Sequence, residues 1–537
     1  MTSISSAITI AQSLALAIER GGESVAVVSP DEHLSFAQLG RSVQGTSEKI
    51  NAQLGDSPGV VAIVSPNRND ALIACLGVMC AGKTVAILDP SHPDARLHTM
   101  LESCTPQLIL CPDSLLERAK TWASQLSHQC HVRAFTALSP PSAGDLKVPN
   151  ICANAPAIIV FTSGSTGGPK GIVETHAGAL SRYRLLAQAI DLTRHDCVAT
   201  IAHFSGCRIE TIGPLLHGAS VCLFDLSGRG FAELETWMKA CHVSALRLLP
   251  TTARALARAN SEFTGFAQLR AVHFIGEGLR GGDLRRIRSQ CDPNTRIFNL
   301  YASNESGPCT ALEATKLDFV DSQPVPIGSA LPGCQLRIVN PNGDECEPGA
   351  TGRIVVRSPG VFTQYCDDVE GTRKALRVHN EATWLHTDDL GECDAQGNIT
   401  LTGRAGLLVK VAGHRINLAE VEQCLNEVDV VDECAVVIWE RRPGESVLLA
   451  FVKIHTGKQF DAHLVRAQMS ASLPLYMLPA RFVPLATAPL TANGKRQTAN
   501  SIEQPCPCQY TLKIAAPASS RRNRCSSIAS RLFGRRC

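Results

Sequence analysis

Ile158–Gly171, IIVFTSGSTGGPKG, decides how the rest of this chain is read. The apolar run Pro156–Phe161 predicts a buried strand. It breaks into Thr162-Ser163-Gly164-Ser165-Thr166-Gly167-Gly168-Pro169-Lys170-Gly171. Glycines let backbone N–H groups crowd around an anion. The hydroxyls add donors, and Lys170 adds a point charge suited to phosphate. A Walker loop is excluded, because Pro169 stands where that motif needs Gly and Gly171 where it needs Ser or Thr.

Working outward, 537 residues are too many for one ordinary core, so two or more domains are expected. Hydrophobic content of 44% with 19% charge describes a soluble globular protein. The net charge of +2 is uneven: after Glu503 there is no acid, and Lys513, Arg521, Arg522, Arg524, Arg531, Arg535 and Arg536 are basic. The remainder is therefore about −5, which argues against a nucleic-acid-binding body. The 22 cysteines are scattered, and no pair has zinc-site spacing. Neither a signal peptide nor a membrane span is read, and free thiols suit a reducing cytoplasm.

Leu34–Leu39 reads as the start of an amphipathic helix. Val60–Ser65, Ala71–Ala81 and Thr84–Leu88 form a strand, helix, strand unit. The loop Asp89-Pro-Ser-His-Pro93 follows, then a short strand at Leu108–Cys111. Leu246–Pro250, Ala271–Gly278 and Arg296–Ala302 are further strands ending in loops of small residues. In a mostly parallel sheet, ligands gather beyond such carboxyl ends. From Pro326 to Thr402, short alternating segments between Pro-Asn-Gly, Pro-Gly and Gln-Gly-Asn turns predict an antiparallel β subdomain. After Thr498 the pattern stops, and a Ser/Arg/Pro-rich end predicts disorder.

The Thr162–Gly171 string resembles the phosphate loop of the adenylate-forming superfamily: acyl-CoA synthetases, luciferases and adenylation domains of nonribosomal peptide synthetases. The resemblance runs from about Leu34 to Arg496, and the Asp89–Pro93 loop places it nearest the peptide-synthetase adenylation domains. It implies an α/β fold with a large N-terminal domain of two α/β subdomains plus a β subdomain, residues 1–404. A small mobile α+β C-terminal domain, 405–500, and a disordered basic tail, 501–537, complete it. Gly403-Arg404-Ala-Gly406 through Lys410, Gly413, Arg415 and Glu422 is similar to the family's domain junction, with Gly406 as hinge.

By the same resemblance, Thr162, Ser163, Gly164, Ser165, Thr166, Gly167 and Lys170 would bind the β- and γ-phosphates of ATP. Gly276 and Tyr301 would meet adenine, Asn304 the nucleotide, and Asp389 and Arg404 the ribose. Glu305 would hold Mg²⁺. Lys495, after the Asn493-Gly494 turn, would bridge carboxylate, ribose and α-phosphate. The acid pocket would be Phe204, Ser205, Gly206, Ile209, Arg247, His273, Ile275, Leu300, Pro308 and Cys309. Three departures stand out. Asn304 replaces a usual Thr; Asp388 replaces a Gly beside Asp389, where it either perturbs the loop or faces solvent; Ser205 stands where amino-acid-activating members carry Asp. Arg247 has two readings, pairing with a structural acid or receiving a second anionic group of the substrate.

The implied activity is ATP-dependent formation of an acyl-adenylate from a carboxylic acid. Transfer to a phosphopantetheine thiol, on a separate carrier protein or CoA, would follow. Alternatives are a stand-alone acyl- or aryl-CoA ligase, an amide- or ester-forming ligase, and, from another class, a nucleotide-binding pseudoenzyme scaffold. Nucleic-acid and membrane partners are not expected. The tail composition generates a first prediction: a chain ending at Glu503 keeps its melting temperature and its adenylation rate, and a drop in either shows that the tail docks on the body.

Overall fold

The computed structural model describes residues 9–29, 33–66, 69–138, 144–163, 168–224, 226–259, 263–379, 381–405, 408–442, 445–455 and 457–485. The fold is α/β, with a large N-terminal domain and a small C-terminal domain. Two large sheets form the N-terminal core. In the first, Pro156–Ser163, Thr84–Leu88, Val60–Val64, Leu108–Cys111 and His131–Ala134 run parallel in that order. Pro169–Thr175 returns antiparallel along Pro156–Ser163, so the two ends of the phosphate-loop sequence lie in paired strands.

In the second sheet, Arg296–Ser303, Ala271–Phe274, Ala245–Leu248, Cys197–Thr200 and Ser220–Leu223 are parallel neighbours. Helices Phe36–Leu54, Asn69–Cys80, His176–Ala189 and Phe204–His217 contribute buried residues to the largest apolar cluster, which both sheets share. Strand Val60–Val64 shows why its sequence is continuously apolar. Val61 and Ile63 enter that shared core, while Ala62 and Val64 enter another beneath Trp122 and Leu97. Parallel strands covered on both faces need no polar alternation.

Three predicted boundaries move. Leu34 lies in a short strand, His33–Ser35; the helix begins at Phe36, capped by Ser35 and Gln38 in a reciprocal pair of hydrogen bonds. Strand Ala245–Leu248 stops two residues before Pro250, which opens a helix, as proline's fixed φ permits. Strand Ala271–Phe274 stops before the Ile275–Gly278 loop, where Gly276 takes φ +98°. The region after Pro326 is antiparallel as expected, with Gly352–Arg357 and Ala382–Cys393 at its centre.

The C-terminal domain consists of hairpin Leu408–Val411 with His414–Asn417, helix Leu418–Asn426 and a three-stranded sheet. It meets the N-terminal core at the Asp89–Pro93 loop and the helix behind it. His414 stacks on Tyr476 with ring centroids 3.7 Å apart, and His92 approaches the same ring edge-on. Arg96 pairs with Glu420 across the seam, both buried.

Burial pushes the Glu420 carboxyl up even with Arg96 beside it. Removing one partner of a buried pair leaves an uncompensated charge. Arg96→Ala therefore costs ~3 kcal/mol, and replacing both residues with Met recovers most of it. Thermal denaturation of the three variants measures both effects; an Arg96→Ala midpoint equal to wild type refutes the pairing.

Candidate active site

Beyond the carboxyl ends of the strands lies a cleft of about 930 Å³, lined among others by Thr162, Lys170, Ser303, Glu305, Asp388, Asp389, Arg404 and Arg415. Distant stretches of chain thus converge, bringing together Thr162, Lys170, Glu305, Asp389 and Arg404, all picked out in sequence. Thr162 and Lys170 face one another across the hairpin. Gly164, Ser165, Thr166, Gly167, Gly406 and Lys495 lie outside the described residues, as does the side chain of Ser163.

Lys170 Nζ sits 2.8 Å from Asp368 Oδ2 and over the Tyr365 ring. Tyr365 in turn donates its hydroxyl to Glu305 Oε1 at 3.3 Å. Asp389 accepts the Tyr301 hydroxyl at 2.7 Å, and Arg404 Nε lies 2.7 Å from its other oxygen. Burial alone would raise the Asp389 carboxyl, but Lys410 and Arg404 hold it below the usual carboxylate range. It is a fixed acceptor, the chemistry a pair of ribose hydroxyls requires.

Glu305 departs from expectation in its partner. Arg415, from the C-terminal hairpin, donates to Glu305 Oε1 at 2.5 Å and to Asp388 Oδ2 at 2.8 Å. Asp388 also lies 3.3 Å from Arg353 Nη1. The expectation that Asp388 perturbs its loop or faces solvent is corrected: it joins two guanidiniums across the seam. No group of three His, Cys, Asp or Glu that could hold a metal occurs among the described residues. Glu305 and Asp388 are carboxylates lining the cleft, oxygen donors of the kind Mg²⁺ takes.

The turn carrying Asn304 and Glu305 is anchored from below. Glu174, on the strand after the phosphate loop, receives both Arg182 and Arg208, and the three side chains are at most 1% exposed. Arg182 also donates to the carbonyls of Gly360, Asn304 and Glu305 at 2.6, 2.9 and 3.1 Å. Sequence reasoning passed over this triad, Asp368 and Tyr365. The available signal was a charge, Glu174, closing the otherwise apolar strand Gly171-Ile-Val-Glu174.

The predicted acid-pocket residues gather around helix Phe204–His217 and the strands beneath it. Phe204, Ile209, His273, Ile275, Leu300, Pro308 and Cys309 are buried; Gly206 is exposed. His203 Nε2 faces the Ser65 carbonyl at 2.8 Å and so carries the proton, leaving Nδ1 to accept the Ser205 hydroxyl at 2.7 Å. Arg247 Nη1 meets Cys207 Sγ at 2.6 Å, and its Nε lies 3.3 Å from buried Glu210. Arg247 thus lies beside a buried acid and is itself largely shielded from solvent. Burial and the Arg247 charge lower His273 to about 3, so it is neutral.

Leu249 links this pocket to the hairpin. A Cβ on Gly276 would come within 3.1 Å of its side chain, and one on Gly413, at φ +79°, within 2.5 Å. Ala412 and Gly413 both take positive φ, as a tight hairpin turn demands.

The Arg415–Glu305 contact makes a pH prediction. Burial would raise Glu305, but Arg415 above all brings it below the usual range. A depressed carboxyl contributes stability above its unfolded pKa of about 4.3, lost as pH falls through the folded value. In Arg415→Ala the burial effect prevails and that contribution disappears. The destabilisation caused by Arg415→Ala should therefore be full near pH 7 and shrink as pH is lowered below about 4, through the depressed folded value; a pH-independent difference contradicts the pair.

Comparison with known proteins places the chain in a family. The AMP-binding enzyme family matches residues 14–366, and the AMP-binding enzyme C-terminal domain matches residues 420–495. Tyrocidine synthase 3 of Brevibacillus parabrevis is 27% identical over 88% of this chain, which spans 7% of that protein's length. Bacitracin synthase 2 of Bacillus licheniformis is 25% identical over 89% of this chain, which spans 18% of that protein. Among solved structures, o-succinylbenzoate CoA synthetase from Bacillus subtilis shares the fold with TM-score 0.78 at 20% identity, over 91% of this chain and 98% of that one. An artificially fused adenylation–PCP di-domain, NpsA-ThdA from Klebsiella oxytoca, gives 0.76 at 21% identity, over 88% and 93%. With the family match spanning more than half its length, the chain belongs to the AMP-binding enzyme family.

Proposed function

We propose that the enzyme activates a carboxylic acid as its acyl-adenylate and passes the acyl group to the phosphopantetheine thiol of a carrier protein. The observation that carries this reading is the single cleft holding Lys170, Glu305, Asp389 and Arg404 together. In the first half-reaction a carboxylate oxygen attacks the α-phosphorus of ATP, and the bond to the pyrophosphate leaving group breaks. In the second, a thiolate attacks the acyl carbon and AMP leaves.

The protein's part is positioning and charge stabilisation. Lys170 and the Thr162–Gly167 hydroxyls and amides hold the β- and γ-phosphates. Asp389, its proton lost, accepts from the ribose hydroxyls, with Arg404 fixing its orientation and Tyr301 beside the base. Glu305 is the residue that would hold Mg²⁺, whose charge offsets that of the phosphates. Lys495 balances charge at the reacting oxygens. Residues 405–500 then turn about Gly406, exchanging Lys495 for the hairpin. The arrangement described above, with Arg415 on Glu305, is the one that suits transfer. Resemblance to peptide-synthetase adenylation domains supports a carrier-borne thiol; CoA and a free amine are the competing acceptors. Ser205 in place of an acid disfavours an ordinary α-amino acid, because a hydroxyl cannot offset the desolvation of a buried ammonium.

The test is ATP–pyrophosphate exchange across a panel of carboxylic acids, followed by turnover with carrier protein, CoA or amine. Lys495→Ala should lower exchange by at least ~10²-fold while AMP still binds, the scale expected for one lost transition-state donor. No exchange with any acid by the wild-type protein would sink adenylation, and turnover with CoA or amine alone would replace the carrier.

A further inference from the structure

Two departures from the family pattern, Ser205 and Asn304, touch the same side chain. Arg208 Nη1 donates to the Ser205 carbonyl at 3.2 Å and to Asn304 Oδ1 at 3.1 Å. Its other arm is held by Glu174. Helical geometry breaks at Cys207, φ −120° and ψ 20°, immediately before Arg208, and the guanidinium reaches back over the first turn. Arg208 is 1% exposed, whereas Asn304 is only half-buried.

A guanidinium has donors only, so it can satisfy only the oxygen of a carboxamide. With Oδ1 committed to Arg208, Nδ2 is the end of the carboxamide left over, on a half-buried residue whose neighbours Ser303 and Glu305 both line the cleft. We propose that Arg208 is a positioning residue: it locks the Asn304 carboxamide so that Nδ2 donates to a non-bridging oxygen of the α-phosphate. This rests on the adenylation reading above. A Thr hydroxyl at this position can rotate its proton towards phosphate. An unlocked carboxamide could instead turn a lone pair to it, which repels an anion. Two guanidiniums sharing one carboxylate also leave a surplus positive charge behind Asn304, which favours the anion further.

The proposal predicts coupling between the two positions. Four proteins are compared: wild type, Arg208→Met, Asn304→Thr and the double variant. AMP affinity is read by calorimetry, exchange rate by pyrophosphate and folding by thermal denaturation. A hydrogen bond to a charged group is worth ~1.5–3 kcal/mol, so Arg208→Met should weaken AMP binding ~10-fold or more when Asn304 is present. On the Asn304→Thr background the same change should cost less than ~3-fold. An equal factor on both backgrounds overturns the proposal, since a purely structural role for Arg208 would act alike on each. If Arg208→Met fails to fold, Arg208→Lys keeps the charge beside Glu174 but lacks the planar fork, and enters the same cycle. Asn304→Asp keeps the acceptor and removes the donor; AMP binding equal to wild type in that variant also overturns the proposal. Wild-type protein that fails to bind AMP overturns the adenylation reading itself, a different result from additive costs in a protein that binds it.

Discussion

Everything at the catalytic end of this molecule hangs on one carboxylate, Glu174, buried between Arg182 and Arg208. Two guanidiniums pair with this one buried carboxylate and leave donors to spare. Arg182 directs those donors to three backbone carbonyls, at Asn304, Glu305 and Gly360. The strand after the phosphate loop is thereby tied to the Glu305 turn and to the start of the β subdomain. Removing Glu174 would strand two buried cations, the costly way to break such a network.

The seam between domains is built differently. There Glu305 and Asp388 offer carboxylates at the rim of a cleft, and one guanidinium from the hairpin bridges them. Glu305 Oε1 accepts from Tyr365 as well, so the turn, the hairpin and the strand Gln364–Tyr365 meet at one carboxylate. Asp388 gives Arg415 a second attachment. The Arg96–Glu420 pair and the His92, Tyr476 and His414 rings add contacts on the same side.

Sequence reading went furthest where information is local. Continuous apolar runs gave the parallel strands of both sheets. The Thr162–Gly171 string, Glu305, Asp389 and Arg404 are contiguous signals that the fold brings to one cleft. Partners were harder to read, because they depend on three-dimensional neighbours far apart in sequence. Nothing near Lys170 announces Asp368, and nothing near Glu305 announces Tyr365 or Arg415, the latter 110 residues away. Arg247 was legible as ambiguous, and its neighbour Glu210 comes from another element of the fold. The Leu34 and Pro250 boundaries moved because capping and proline geometry outweighed the apolar pattern.

Leu249 carries a consequence for which residues the two loops accept. A Cβ added at Gly276, beyond strand Ala271–Phe274, or at Gly413, at the hairpin tip, would meet the same side chain. One leucine thus limits the size of residue at two points that belong to different domains. A larger residue at either glycine would displace Leu249, and the loop on the other side of it would have to give way.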